Sequence, residues 1–419
     1  MSSIVVRGGR TLNGSVRIGG AKNSVLKLLA ATTLAEGRYV LRNVPHISDV
    51  EWMSELLECL GAKIEWDGDD TLVIDAPSDT NLQPEAPYEL VEKMRASIVV
   101  LGPLLARLGT ARVALPGGDD FGPRPIDMHL KGLEQLGATF ENVHGYVEGR
   151  ADGLLGASVM LEFPSVGATE NVMMAAVRAK GQTIIENAAR EPEISDLATF
   201  LNRMGAQIRG AGSPTITIEG VDKLRAVDHT VVSDRIEAAT YLAAVGVAGG
   251  EITAVGARSD HMDMLCQKLG EMGMRISPDV SGIWAMAPHR LRAVDVSTLP
   301  YPGIATDYAP MIVALLSVSE GVGIVTENLF KGRFRYIDEL IRMGADIRTE
   351  GTHAVIRGVP QLSGAPVRAA DIRAGAAMVI AALAGEGETV VSDAHHIDRG
   401  YAGFVPKLAA LGADIERID

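Results

Sequence analysis

Several apolar helices of this chain begin with a charge. Lys22 follows Gly19-Gly20-Ala21 and opens the first, Arg95 the second, Asp234-Arg235 the fourth, Asp307 the fifth, and Asp371 with Arg373 the sixth. Four more arginines sit in loops just ahead of amphipathic helices: Arg124 in GPRPID, Arg190 in AAREPE, Arg333 in KGRFRYID and Arg399 in HHIDRGY. A helix N-terminus presents unpaired N–H groups and the positive end of a dipole, so cations gathered there suit an oxyanion. Guanidinium adds a planar fork that matches carboxylate or phosphate. Any one of these arginines could equally be solvated or cap a carbonyl. Recurrence at the same joint of the chain favours a shared anion site.

The elements that must position these charges form a repeat. An amphipathic helix ending in Leu/Met-Gly and followed by a strand occurs as ELLECLGAKIE, GLEQLGATFE, FLNRMGAQIRG, KLGEMGMRIS, ELIRMGADIRTEG and KLAALGADIER. Their glycines, Gly61, Gly137, Gly205, Gly273, Gly344 and Gly412, are spaced 68 to 76 residues apart and fill the chain. Each falls where a helix should end in a left-handed residue, a conformation that costs other residues a Cβ clash. A second, nearly all-apolar helix accompanies each, for example KNSVLKLLAATTLAEG, MRASIVVLGPLLARLG or SDRIEAATYLAAVGVAGG. Apolar faces all round require burial on most sides. Each unit reads strand–helix–strand–helix–strand–strand and cannot cover its own apolar helix, so units must pack together. The expected architecture is α/β, six βαβαββ repeats in two domains of three, with the apolar helices inside and the sheets outside. The expected domains are 22–231 and 1–21 plus 232–419, with the strand at Ser3–Gly8 pairing in the second and a cleft between two facing domains.

Composition bounds the rest. The chain has 419 residues, 47% apolar, with a net charge of −14, which argues against a nucleic-acid binder carrying a basic stripe. It leaves room for a local cationic cleft. The two cysteines, Cys59 and Cys266, cannot build a disulfide framework or a zinc site, which points to a reducing compartment. No signal peptide is read at the N-terminus, and the longest uncharged run, Ala238–Gly250, has 13 residues against the ~20 that span a bilayer. A cytoplasmic protein without membrane insertion is expected. His395-His396 lacks a third ligand at useful spacing and reads as structural rather than metal-binding. The methionines of Met262–Met274 read as core filling. No GxxxxGK[ST] loop is present, which disfavours a nucleotide-binding kinase.

The segments GGAKNSVLKLLAATTLAEG, LPGGDDFGPRPIDMH, PSVGATEN, ENAAREPEISD, SDRIEAAT, TDYAP, TENLFKGRFRY, ADIRAG and HIDRGY together resemble the UDP-N-acetylglucosamine enolpyruvyl transferase family. The resemblance runs from about residue 5 to 417. It implies the two-domain inside-out α/β barrel (enolpyruvyl transferase fold) and a reaction needing no metal and no organic cofactor. Its substrates would be phosphoenolpyruvate and UDP-N-acetylglucosamine. By the same resemblance, Lys22, Asn23, Arg124, Arg333, Arg373 and Arg399 would hold phosphoenolpyruvate. Arg95, Arg124, Pro125, Ile126, Asp127, Met128, Ser165, Val166, Gly167, Asp307 and Leu329 would hold the nucleotide sugar. Catalysis would fall to Asp119, Asp307, Lys22 and Arg399, with Asp307 as base toward the sugar 3-hydroxyl. The oligomeric state is not legible.

One position departs from the family's usual pattern. The mobile loop commonly reads PGGC, and its cysteine is both general acid and the group that fosfomycin alkylates. Here it reads PGGDD, with Asp119 in that place, as in some members of the family. A carboxylic acid can donate a proton but traps covalently less well than a thiolate. Desolvation and Asp120 would raise the pKa of Asp119, whereas Arg124 would lower it. Resistance to fosfomycin follows. The rival readings are an enolpyruvyl transferase using a different nucleotide acceptor and a non-catalytic nucleotide-sugar-binding paralogue. The second would need a broken cationic set, yet every member is present.

Overall fold

The computed structural model describes residues 2–117, 125–330 and 332–418. They divide into two compact units, one running from Gly20 to Val232 and the other built from residues up to Gly19 and from Ser233 onward. Among the described residues there are six four-stranded sheets, three per unit, and all follow one plan. An edge strand lies parallel to a central strand, and the central strand pairs antiparallel with a further antiparallel pair, which is a hairpin in five sheets and the strands Ser3–Arg7 and Asp414–Ile418 in the sixth. Asp228–Thr230, for example, runs parallel to Gly37–Arg42, which pairs with Thr71–Ala76 and through it with Lys63–Trp66. Alternation within Gly37–Arg42 turns Tyr39 and Leu41 inward, as one-sided burial of a strand requires.

The unit Gly20–Val232 holds three enclosed helices, α1 (Lys22–Ala31), α3 (Leu101–Leu108) and α5 (Val166–Ala176). It also holds three outer amphipathic ones, α2 (Ser48–Cys59), α4 (Asp127–Gln135) and α6 (Pro192–Met204). The other unit repeats the scheme with α7 (Arg235–Ala248), α9 (Ala309–Val318) and α11 (Ile372–Ala382) inside. Its outer helices are α8 (Asp263–Met272), α10 (Ile337–Arg342) and α12 (Phe404–Ala410). Every residue of α11 is buried, and α7, α9 and α11 pack on one another in a single apolar core. Each fully buried aliphatic side chain contributes roughly 1.5–3 kcal/mol, so the enclosed helices hold each unit together. Each unit is therefore an inside-out α/β barrel, with helices at its centre and sheets around them.

The N-terminal segment completes two sheets of the second unit. Ser3–Arg7 inserts between Glu388–Ser392 and Asp414–Ile418, with Val5 opposite both Val390 and Glu416. Leu12–Arg17 forms the parallel edge beside Gly250–Val255. All six helix-ending glycines have positive φ, from 89° at Gly344 to 113° at Gly205. Two enclosed helices differ from the uniform helix expected. Arg95–Val100 and Thr306–Tyr308 are 3-10 turns that lead into α3 and α9. Pro103 and Pro310 explain this, because proline cannot donate to an α-helical bond and fits only the first turn, so the α-helix starts late. The methionine segment departs in part from the core-filling expectation. Met262, Met272 and Met274 are buried, whereas Met264 points to solvent.

Candidate active site

In the unit Gly20–Val232 the site residues sit at the starts of the enclosed helices. Lys22 is the first residue of α1 and is nearly buried, with its Nζ 2.7 Å from Asp49 Oδ2. Asp49 lies in the first turn of α2, where a carboxylate also complements the helix dipole. α1 starts after Ala21 without a side-chain cap. Asn23 is half-buried, and its carbonyl accepts a 2.7 Å hydrogen bond from Lys27 Nζ. Lys27 in turn stands 3.5 Å from the buried Glu170 of α5, whose carboxyl oxygens have no hydrogen-bond partner among the described residues. Burial pushes the Glu170 carboxyl up to about 8, against an opposing pull from Lys27.

Arg95, on the 3-10 turn before α3, donates to the Pro125 carbonyl at 3.0 Å and so meets the segment Pro125, Ile126, Asp127 and Met128 that leads into α4. His129 follows in that helix. Burial, then the charge of Arg95, lowers its imidazole to about 4, so the ring is neutral at pH 7. Asn171 Nδ2 lies 3.1 Å from His129 Nδ1 and donates to the Ile98 carbonyl, while Asn171 Oδ1 accepts from Gly102 N–H. An amide nitrogen only donates, so Nδ1 accepts and the ring proton sits on Nε2. That edge faces Gly167, where an added Cβ would stand 2.9 Å from Cε1, so the ring and the helix start approach closely there. Ser165 caps α5 through its Oγ, accepting from Ala168 N–H at 3.3 Å and fixing the turn Ser165, Val166 and Gly167.

In the second unit Asp307 lies on the 3-10 turn Thr306–Tyr308 and bridges two guanidinium groups. Its Oδ1 accepts from Arg333 Nη2 at 2.9 Å and its Oδ2 from Arg373 Nε at 3.1 Å. Both arginine side chains are at most 5% exposed and the carboxylate is 27% exposed, so the carboxylate is the part of the cluster most open to a ligand. Arg373 also stacks over Tyr401, whose hydroxyl lies 2.9 Å from Thr240 Oγ1. Arg235 donates to the Tyr308 hydroxyl at 3.2 Å. Arg399 is buried just after the short helix His395–Asp398. Leu329 is half-buried, with its N–H held by Glu327 at 2.8 Å.

Thus Lys22 and Asn23 share one helix start, Arg95 meets the segment 125–128, and Asp307 joins Arg333 to Arg373 within one cluster. Asp119 and Arg124 lie outside the described residues. Two of the charges noted at helix starts have a local role: Asp234 and Asp371 are N-caps, accepting from the N–H groups of Ile236 and Glu237, and of Arg373 and Ala374. Residues that sequence reasoning passed over are Asp49, His129, Asn171 and Glu327. Asp49 carried a signal, an acid in the first turn of a helix. The others are specified by contacts across the fold.

Two inside-out α/β barrel units with charged helix starts define the enolpyruvyl transferase class of fold. A family described as EPSP synthase (3-phosphoshikimate 1-carboxyvinyltransferase) matches residues 6–408. The chain is 52% identical over 415 residues to a UDP-N-acetylglucosamine 1-carboxyvinyltransferase of Mycolicibacterium paratuberculosis, covering 99% of each. It is 52% identical over 414 residues to the protein of that name in Mycobacterium bovis, covering 99% of this chain and 98% of that one. Among solved structures, the enolpyruvyl transferase NikO from Streptomyces tendae is similar at a TM-score of 0.89 and 28% identity, over 99% of this chain and 98% of that one. EPSP synthase from Acinetobacter baumannii shares the fold at a TM-score of 0.77 and 17% identity over the whole of both chains. This chain belongs to the EPSP synthase (3-phosphoshikimate 1-carboxyvinyltransferase) family. No helix among the described residues is long and apolar enough to cross a membrane.

Proposed function

We propose that this chain transfers the enolpyruvyl group of phosphoenolpyruvate to the 3-hydroxyl of UDP-N-acetylglucosamine and releases phosphate. This is the first committed step of peptidoglycan precursor synthesis, carried out in the cytoplasm. The observation that carries the reading is the 52% identity, over nearly the full length of both chains, to proteins named for that activity.

The proposed mechanism uses the residues that the family resemblance implies. Asp307 takes the proton of the 3-hydroxyl, and the oxygen attacks C2 of phosphoenolpyruvate while Asp119 gives a proton to C3. The tetrahedral adduct then loses phosphate from C2 and a proton from C3, leaving the enolpyruvyl ether. Lys22, Asn23, Arg124, Arg333, Arg373 and Arg399 bind the phosphate and carboxylate and stabilise the departing phosphate dianion. Arg95, the segment 125–128, Ser165, Val166, Gly167 and Leu329 hold the nucleotide sugar. The neutral His129 lets its Nε2–H serve that pocket as a donor without adding charge.

Release of phosphate from phosphoenolpyruvate, measured with and without UDP-N-acetylglucosamine, tests the reading. Turnover that starts only with that nucleotide sugar is the expected result. A strict requirement for another nucleotide assigns the chain to a different acceptor, and binding without turnover makes it a non-catalytic paralogue. With Asp119 in the loop, turnover persists in fosfomycin, and Asp119→Cys confers sensitivity. Potent inactivation of the unaltered protein would show that Asp119 does not stand in the cysteine's place.

A further inference from the structure

Glu327 is 2% exposed and lies at the end of the strand Val322–Thr326. Its carboxylate accepts four hydrogen bonds. Oε1 receives Thr298 Oγ1 at 2.9 Å, Leu329 N–H at 2.8 Å and Phe330 N–H at 3.1 Å, and Oε2 receives Thr306 Oγ1 at 2.8 Å. Thr298 extends the knot, since its hydroxyl accepts from Asn328 N–H at 2.9 Å and its carbonyl from Asn328 Nδ2 at 3.0 Å. One buried carboxylate thereby fastens three separate pieces of chain: the end of the strand Val296–Ser297, the loop 327–330, and the 3-10 turn that carries Asp307. A buried carboxylate is tolerated only when its oxygens are satisfied, and here each donor comes from a segment beside the candidate site.

We propose that Glu327 is a positioning residue for the acceptor. It fixes Asp307 through Thr306 and the loop of Leu329 through its backbone N–H, so that both present one geometry to the sugar. This rests on the proposed transfer reaction. Thr306 adjoins Asp307 in sequence, so its hydrogen bond to Oε2 sets where the turn lies. The two guanidinium partners set which way the Asp307 carboxylate faces. Glu327 therefore holds the acceptor side of the site directly, and reaches Arg333 and Arg373 only through Asp307.

Four substitutions separate positioning from stability. Glu327→Ala should lower kcat by roughly 10²-fold, the scale expected for ångström misplacement of a reacting group, and raise KM for UDP-N-acetylglucosamine, with a smaller rise in KM for phosphoenolpyruvate, whose arginines touch Asp307. Glu327→Gln keeps one acceptor oxygen, and its amide N–H can donate to Thr306, so it should restore most of that loss. Thr306→Val should act mainly on kcat and Thr298→Val mainly on the KM of the nucleotide sugar. An alanine variant of wild-type melting temperature and wild-type kcat overturns the inference, as does a KM effect shared equally by both substrates. Should Glu327→Ala fail to fold, unchanged kinetics in both threonine variants overturn it. Calorimetric titration of UDP-N-acetylglucosamine reads the Leu329 side without turnover. Absence of turnover in the unaltered protein counts against the proposed reaction, whereas weakened nucleotide-sugar binding by Thr298→Val still supports the role of Glu327.

Discussion

Lys22 in one unit and Asp307 in the other both begin an enclosed helix or the turn before it, and each is nested among opposite charge, in different proportions. Lys22 faces Asp49 at 2.7 Å, with both side chains largely buried. Asp307 stands between Arg333 and Arg373, a carboxylate shared by two guanidinium groups and left partly exposed. The first pairing is balanced, and an arriving anion must compete with Asp49 for the ammonium. The second sets two buried guanidinium groups against one shared carboxylate, with Asp234 acting on Arg373 as well, so the acid rather than the cations faces outward. A deeper layer shows the same contrast. Among the described residues Glu170 has only Lys27 at 3.5 Å as an ion-pair partner, whereas Glu237 receives Lys407 Nζ at 2.6 Å and Gly19 N–H at 2.8 Å. Burial raises both carboxyls. The unit with Glu170 leaves a buried acid poorly satisfied, and the unit with Glu237 satisfies its own.

The largest effect should come from the shared carboxylate. Asp307→Asn removes the proposed base while keeping the shape, and kcat should drop roughly 10²–10⁴-fold, the range for a lost general base. Steady-state phosphate release reads this directly. The asymmetry would be broken if kcat held and only KM for phosphoenolpyruvate changed, since Asp307 would then serve the arginines alone.

The fold that carries this contrast was legible in the chain, and the pairings themselves were not, for identifiable reasons. The helix-ending glycines were legible because each enforces a backbone conformation by itself, and the six φ values agree. The enclosed helices were legible from apolar faces on all sides. The late start of α3 and α9 was carried by Pro103 and Pro310 but was hidden within otherwise continuous apolar runs. Asp234 and Asp371 read as site charges, although an acid two or three residues ahead of unpaired N–H groups is equally a cap. The partners of Lys22 and Asp307 come from other elements, 27, 26 and 66 residues away in the case of Asp49, Arg333 and Arg373. Helical or strand periodicity carries no information about such distant pairings.

A second, smaller effect tests the balanced pair. Asp49→Asn takes away a carboxylate 2.7 Å from Lys22 in a nearly dry setting. Breaking a buried pair from one side costs about 3–5 kcal/mol, with the lower end expected here because the ammonium keeps some solvent contact. The melting temperature should fall, and phosphoenolpyruvate should recover more of it in the variant than in the wild type, because ligand binding to the folded state stabilises by mass action. Equal stabilisation of the two proteins would mean that the substrate does not meet the ammonium that Asp49 neutralises.

The smallest effect belongs to the buried acids and depends on pH. The folded Glu170 carboxyl titrates at about 8, raised by burial from the ordinary 4.5. A group raised on folding stabilises fully below its unfolded value, and that contribution is lost as pH climbs towards the folded value. Glu170→Gln abolishes this dependence. Its melting temperature should match the wild type near pH 5 and exceed it by a few degrees at pH 8, with thermal scans across that interval as the measurement. Glu237→Gln should behave oppositely and lose stability at pH 8, because it weakens the contacts from Lys407 and Gly19. A Glu170→Gln variant less stable than the wild type at pH 8 would show that Lys27 and Glu170 form a fully charged pair, and the contrast between the two buried acids would disappear.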